Sequence, residues 1–293
     1  MNKFLSRLLV FFIGIPIVIG IVILPYFNHL PLHLFFILVS FFASNELYDI
    51  FKVNSKLPPK TLVVSLSVLV TTIAAVYSVL PEVLEIKIPY GQEIITFSYI
   101  ISLFIVMAYE AIFAKEFETS NSKLAASAFI ITYSRFLLTF ASRLTLFRLN
   151  GQSITTPLFC VFALLVFFCD SIAWLFGMLF GKNNRGILKA SPNKSLMGFF
   201  GGFVGSTFIA VSATYVWPDI FSGKIWKAVV LGISIALSSI VGDLVESVFK
   251  RCSGIKDSGK VVPGRGGMLD SIDSVLMSAP IYYLLISIMY GPF

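Results

Sequence analysis

The sequence predicts an all-α, polytopic membrane protein with about nine transmembrane helices and a cytoplasmic N-terminus. Three observations carry this. The 293-residue chain is 57% hydrophobic and only 13% charged, whereas a soluble domain holds about 25% charged residues. Apolar runs of about 18 residues or more, each able to cross the hydrocarbon core, recur along the whole length. The segments between those runs alternate between rich and poor in Lys and Arg, which is the signature of a chain threading a membrane.

The runs fall at roughly 8–26, 31–49, 62–80, 94–113, 124–146, 156–180, 196–216, 227–249 and 268–290. The first follows Lys3 and Arg7 in the manner of a signal peptide. It lacks a small-x-small cleavage site and is expected to be a retained first helix. With the N-terminus inside, the cytoplasmic segments hold 16 of the 22 Lys and Arg. The outside segments hold five: Lys87, Arg143, Arg148, Lys224 and Lys227. Arg135 falls inside the fifth run, and with Arg143 it fits an interfacial or tilted segment as well as a span.

The net charge of +7 is therefore mostly topological and calls for no nucleic-acid partner. Two loops exceed that baseline. Residues 181–195 carry four basic and no acidic residues, and residues 250–267 carry five basic and one acidic. The first five helices show few polar residues and read as scaffold. The chain divides accordingly into residues 1–150 and a chemistry-bearing region, 151–293. Cys160 and Cys169 lie in one apolar run and Cys252 stands alone in the charged loop, so neither a disulfide framework nor a zinc site is expected. His29 and His33 are expected at the interface.

The charged loop is the most informative stretch. Asp243 and Glu246 precede it and Asp270 and Asp273 follow it, each just inside a helix. Acids at bilayer depth are costly and mark functional sites by default. Asp243, Glu246, Ser247 and Lys250 are spaced i, i+3, i+4 and i+7, which places them on one helix face. Their bland alternative is ion pairing that lets the helix end at the interface. Asp270 and Asp273 lie one turn apart at a helix start, where the dipole favours carboxylates; capping accounts for Asp270 better than for Asp273. If helices eight and nine pack antiparallel, these acids share one depth with Asp243. Hard oxygen donors without His or Cys suit magnesium shared with substrate phosphates, and the loop's cations suit a polyphosphate.

Upstream, Asp170 sits within the sixth apolar run. Ser191-Pro192 gives a turn and helix-start signal. Lys194 and Ser195 follow at a helix start, where free N–H groups favour phosphate. Gly198, Gly201, Gly202 and Gly205 have the small-xxx-small spacing of close helix packing. No P-loop, dinucleotide fingerprint, Ser-His-Asp set or His-Glu-x-x-His occurs. An ion-coupled transporter would also use intramembrane acids and glycine-broken helices. However, no inverted repeat is visible, and the long charged loop has no role in alternating access.

The residues from 170 to 273 carry a recognisable pattern. They include Asp170-Ser-Ile-Ala173-Trp-Leu-Phe-Gly177, Ser191-Pro-Asn-Lys194-Ser195-Leu-Met197-Gly198 and Gly242-Asp-Leu-Val-Glu-Ser247. Then come Ser247-Val-Phe-Lys250-Arg251, Lys256-Asp257, Gly259, Pro263-Gly-Arg265-Gly266-Gly267 and Asp270-Ser271-Ile-Asp273. This pattern resembles the phosphatidate cytidylyltransferase (CDP-diacylglycerol synthase) family, with every signature interval preserved. The first 150 residues agree only in being apolar and in helix number. Arg265 stands where the family has His, Ser271 where it has Arg, and Met197 where it has Glu, so an inactive lipid-binding relative is the other alternative.

The resemblance implies transfer of the cytidylyl group of CTP to phosphatidate in phospholipid biosynthesis. It implies catalytic roles for Asp243, Asp270, Asp273, Lys250, Arg251, Lys256 and Asp257, and metal ligation by Asp243, Asp270 and Asp273. It further implies substrate contacts from Asp170, Ser191, Lys194, Ser195, Glu246, Ser247, Arg265, Gly266 and Gly267. The expected cofactor is Mg2+, with a second cation left open. The expected partners are CTP, phosphatidate and the lipid bilayer, with a homodimer left open. The expected location is the inner membrane, with the site on its cytoplasmic side.

Overall fold

A computed structural model describes residues 10–86, 88 and 91–291. Lys3, Arg7, Lys87 and the beginning of the first predicted run lie outside the described residues. Among those described, eight helices are long and apolar enough to cross a membrane, and a shorter apolar helix precedes them. Large apolar side chains lie exposed along these helices, Phe104, Phe208 and Ile288 among them, as lipid-facing surfaces require. The chain is a multi-pass membrane protein. It divides into two compact units, one of residues Met1–Leu146 with Phe249–Ser271, the other of Phe147–Val248 with Ile272–Phe293.

In the first unit a wide π-turn, Val10–Gly14, leads into α1 (Ile15–Ile23). Pro16 lies in the first turn of α1, where a missing N–H costs nothing. The next helix, α2 (Tyr26–Lys52), opens with Phe27, Asn28 and His29 in the left-handed region, so it is kinked there. Pro58 and Pro59 break the chain before α3 (Lys60–Leu84). The α2 and α3 helices run antiparallel. Asn28 donates to the Ser78 carbonyl at 2.7 Å, Ser40 and Thr71 share a 2.7 Å hydrogen bond, and Tyr48 donates to the Pro58 carbonyl at 2.6 Å. After α4 (Gly91–Phe113), Glu110 accepts from Ser120 at 2.7 Å and Lys123 at 2.9 Å. This fixes the start of α5 (Ser120–Leu144).

Midway along α5 the turn Thr132–Phe136 is π-helical. It carries Arg135, fully buried, whose guanidinium donates to the Ser44 hydroxyl on α2. Arg143 is buried too. His29 and His33 are buried, and His33 Nε2 lies 3.2 Å from Thr145 Oγ1. Within the first unit the hydroxyls of Ser44 and Thr145 give the Arg135 guanidinium and the His33 ring buried partners.

The second unit opens with a hairpin that the hydropathy reading does not reveal. Strands β1 (Arg148–Leu149) and β2 (Gln152–Ser153) pair antiparallel around Asn150 and Gly151. Both turn residues have positive φ, 51° and 80°, as a type I′ turn demands. Helix α6 (Thr155–Phe180) then packs on α7 (Leu196–Val216) through the glycines flagged in the sequence. A Cβ at Gly201 would lie 2.7 Å from the Ile172 carbonyl oxygen, and one at Gly205 2.7 Å from that of Phe168. Only bare backbone allows so close an approach, which is the packing role of small residues in membranes. Helices α8 (Ile225–Cys252) and α9 (Leu269–Met289) follow. They are joined by Ser238 to Ser278 at 3.0 Å and by Ser274 to the Ser239 carbonyl at 3.2 Å. Tyr282 ties α9 to the Leu158 carbonyl of α6 at 2.9 Å.

Candidate active site

In the second unit the close meeting of α8 and α9 sets the acids. Gly242 lies against the backbone of Asp273 and Ser274: a Cβ there would be 2.5 Å from the Asp273 carbonyl oxygen. Asp243 and Asp273 thus stand at one level of the helix pair. Asp273 is buried, and its Oδ1 accepts the Ser274 N–H at 2.7 Å. Asp243 is more open and pairs with Lys194, Nζ to Oδ2 2.6 Å. Ser247 lies one turn on, 3.5 Å from Asp243 Oδ1, and Glu246 is buried beside it. Cys169 of α6 lies within electrostatic range of Asp170, Lys194 and Asp243, which gathers those three charges around one part of the unit.

The basic loop 181–195 is a folded structure. Gly186 N–H donates to the Pro192 carbonyl at 2.9 Å, and Leu196 N–H to the Asn184 carbonyl at 3.2 Å. Arg185 covers the end of α6 by donating to the Gly177 carbonyl at 3.1 Å. Ser191 belongs to a turn that closes on Lys194, 3.2 Å from its N–H to the Ser191 carbonyl. Ser195 is the N-cap: its buried hydroxyl accepts the Gly198 N–H at 3.0 Å. The helix-start signal therefore resides in Ser195, one of the preferred cap residues, while Lys194 beside it carries the charge.

In the first unit the loop between α8 and α9 is built around Asp270. Its Oδ1 accepts Lys250 Nζ at 2.7 Å. Its Oδ2 accepts the N–H groups of Ser258 and Gly267, at 2.8 and 2.7 Å, and the Ser258 hydroxyl at 2.9 Å. Gly267 therefore gives its N–H to Asp270. Gly266 has φ +115°, and a Cβ there would meet Asp270 Oδ2 at 2.6 Å, so only glycine fits. Val262 and Gly266 pair across a tight turn, at 2.9 and 3.1 Å, with Arg265 exposed on it. Arg251, Lys256 and Asp257 are also exposed. The structure thus separates two kinds of loop residue: Lys250, Gly266, Gly267 and Asp270 shape it, and Arg251, Lys256 and Arg265 present charge from it.

One residue of this arrangement escapes the sequence reading. Glu46 of α2, in the stretch taken for scaffold, accepts the N–H of Met268 at 2.9 Å and of Leu269 at 2.8 Å, and the Ser258 hydroxyl at 3.1 Å. The available signal is an acid within the second apolar run. Nothing local names its partners, which lie more than 200 residues away.

The donor set bears on a metal. Asp243 and Asp273 offer hard carboxylate oxygens, while among the described residues no three His, Cys, Asp or Glu side chains converge to hold an ion alone. A partial protein shell of this kind fits magnesium, which commonly completes its coordination with substrate phosphate and water.

Comparison with known proteins decides the lineage. The model of the cytidylyltransferase family matches residues 5–289. The chain belongs to the cytidylyltransferase family. Among similar proteins, the phosphatidate cytidylyltransferase of Staphylococcus haemolyticus (strain JCSC1435) is 38% identical over 123 residues. That of Staphylococcus aureus (strain COL) is 40% identical over 125, and that of Staphylococcus epidermidis (strain ATCC 12228 / FDA PCI 1200) 38% over 123. Each alignment covers 42% of this chain and 46% of the relative, so the chain spans about half the length of the curated relatives it matches. The matched residues include all of the site's acids and cations described above.

Proposed function

We propose that the chain transfers the cytidylyl group of CTP to phosphatidate, giving CDP-diacylglycerol and pyrophosphate. The observation that carries this reading is family membership over residues 5–289, alongside relatives named phosphatidate cytidylyltransferase. A phosphate oxygen of phosphatidate attacks the α-phosphorus of CTP. The bond from that phosphorus to the bridging oxygen breaks, and its electron pair leaves with pyrophosphate. A phosphate monoester has a second pKa of about 6, so the nucleophile is largely ionised near neutrality and needs no strong base. Catalysis rests on aligning two anions and offsetting the charge that develops on the leaving group.

The residues supply those needs. In the second unit, Asp243 and Asp273 would hold magnesium, and the bound ion would offset triphosphate charge; Asp270, expected to join them, has its oxygens engaged by Lys250, Ser258 and Gly267 in the first unit. Lys194, beside the start of α7, offers an ammonium to phosphate, and Asp170 and Glu246 set the local field. In the first unit, Arg251, Lys256 and Arg265 are the loop's phosphate-binding cations. Asp270 and Lys250 hold the loop in shape. Arg265, where the resembling pattern has His, can offer a phosphate two donors at once.

We assign loops 181–195 and 250–267 to the cytoplasmic side of an inner membrane. The 16-to-5 distribution of Lys and Arg supports this orientation, and CTP arrives from that side. Both basic loops would draw anionic lipid toward the site. The reading is tested by incubating purified protein in detergent with phosphatidate, labelled CTP and magnesium. Label should enter lipid and pyrophosphate should accumulate in equal amount; no labelled lipid at any magnesium concentration refutes the reading.

A further inference from the structure

We propose that Glu46 is a positioning residue for the reaction: an anionic cap on α9 that holds the charged loop and, through Ser258 and Gly267, fixes the Asp270 carboxylate. The proposal deepens the transferase reading and rests on it. Glu46 is only 7% exposed, on a helix that also buries Ser40 and Ser44. Its two oxygens accept the backbone N–H groups of Met268 and Leu269 and the Ser258 hydroxyl. The N–H groups at a helix start have no partner within the helix, and a negative charge there also meets the favourable end of the dipole. Glu46 supplies both from a different helix.

The loop is shaped to this carboxylate. A Cβ at Gly259 would collide with Glu46 Oε1, and one at Gly267 would lie 2.5 Å from Oε2. Gly267 also gives its N–H to Asp270, and Ser258 is shared between Glu46 and Asp270. A serine hydroxyl carries one proton, so the two carboxylates draw on a single donor between them. The backbone N–H of Ser258, bonded to Asp270 at 2.8 Å, keeps Asp270 held whichever way that proton points. Displacing Glu46 frees the N–H groups of Met268 and Leu269 and the Ser258 hydroxyl together, so the loop that carries Asp270's other donors loosens as a whole.

Glu46→Gln keeps the size but replaces one acceptor oxygen with an NH2 that must face a donor. Glu46→Asp keeps the charge on a shorter arm. In detergent-purified protein, Glu46→Gln should lower kcat about tenfold to a hundredfold per folded molecule and raise the KM for CTP as well, because the loop carries the phosphate-binding cations. Glu46→Asp should recover part of that loss. Limited trypsin treatment should cut the variant faster than wild type after Lys256 and Lys260. In a cycle with Ser258→Ala, the combined loss should be smaller than the sum of the two single losses, because the changes share the Glu46–Ser258 contact.

Unchanged trypsin protection in Glu46→Gln overturns the proposal whatever the activity. Faster cleavage with unchanged kcat, or additive losses in the cycle, overturns the positioning role. If the wild type itself transfers no label, the transferase reading falls and the catalytic half of this proposal falls with it, whereas loop protection still decides whether Glu46 holds the loop.

Discussion

Gly242 offers a direct test of the idea that spacing between α8 and α9 sets the chemistry. In Gly242→Ala the new methyl would lie 2.5 Å from the Asp273 carbonyl oxygen and 3.1 Å from Ser274 Cα. Ordinary contact begins near 3.4 Å, and both obstacles are backbone that no rotamer change removes. The two helices must part locally by about 1 Å, and a displacement of about that size can cost on the order of a hundredfold in rate. Overpacking of this kind costs roughly 1–3 kcal/mol in stability, which a multi-pass helical protein survives. The expected result is a kcat about a hundredfold below wild type in protein that still inserts and keeps its helical content.

Gly202→Ala is the matched control. Its methyl would meet Cys169 Sγ at 3.0 Å, the end of a side chain that can turn aside, so kcat should stay within roughly threefold. Both variants are measured with the labelled-CTP assay at saturating substrate and normalised to folded protein by circular dichroism. Wild-type kcat in Gly242→Ala would sink the reasoning. So would equal losses in both variants, which would point to general loosening of the bundle.

Other consequences are as open to measurement. Asp243→Asn or Asp273→Asn should abolish turnover at saturating CTP without loss of folding, and EDTA should silence the wild type until magnesium is restored; full activity in either variant removes the metal assignment. Cys252 is exposed, Cys160 half-buried and Cys169 buried, so a Cys160→Ser, Cys169→Ser chain reports on Cys252 alone. An impermeant thiol reagent should leave it unlabelled in intact cells and label it once the inner membrane is opened, and labelling in intact cells overturns the orientation. Arg265→Ala should lower kcat/KM for CTP by about tenfold to a hundredfold, the scale of a lost charge-assisted contact. Arg265→His with Ser271→Arg should regain most of it while Arg265→His alone does not, and additive effects in that cycle would show the two positions to be independent.

The helices were legible because each needs an apolar run that nothing else in the chain imitates, and the glycine spacing of α7 announced its contact with α6. The cap at Ser195 and the exposed cations of the 250–267 loop could also be read from local pattern. The Asn150-Gly151 turn was a sufficient hairpin signal, but two-residue strands leave no alternation to notice. The π-turn at Arg135 and the burial of His29 and His33 were not legible, because burial depends on which helices surround a residue. Asp270 read correctly as a helix-start acid. Its role in gathering Ser258, Gly267 and Lys250 needed coordinates, since the residues between it and Ser258 give no sign of the path they take.

The bond between Glu46 and the start of α9 has a consequence in the order of synthesis. Glu46 enters the membrane with the second apolar run, whereas Met268 and Leu269 follow it on the chain by more than 200 residues. Chain elongation at about 5–20 residues per second separates the two events by roughly 10–45 seconds. Throughout that interval α2 carries a carboxylate whose native partners do not yet exist, and burying it without them is costly. The first unit therefore cannot reach its final form from N-terminal helices alone.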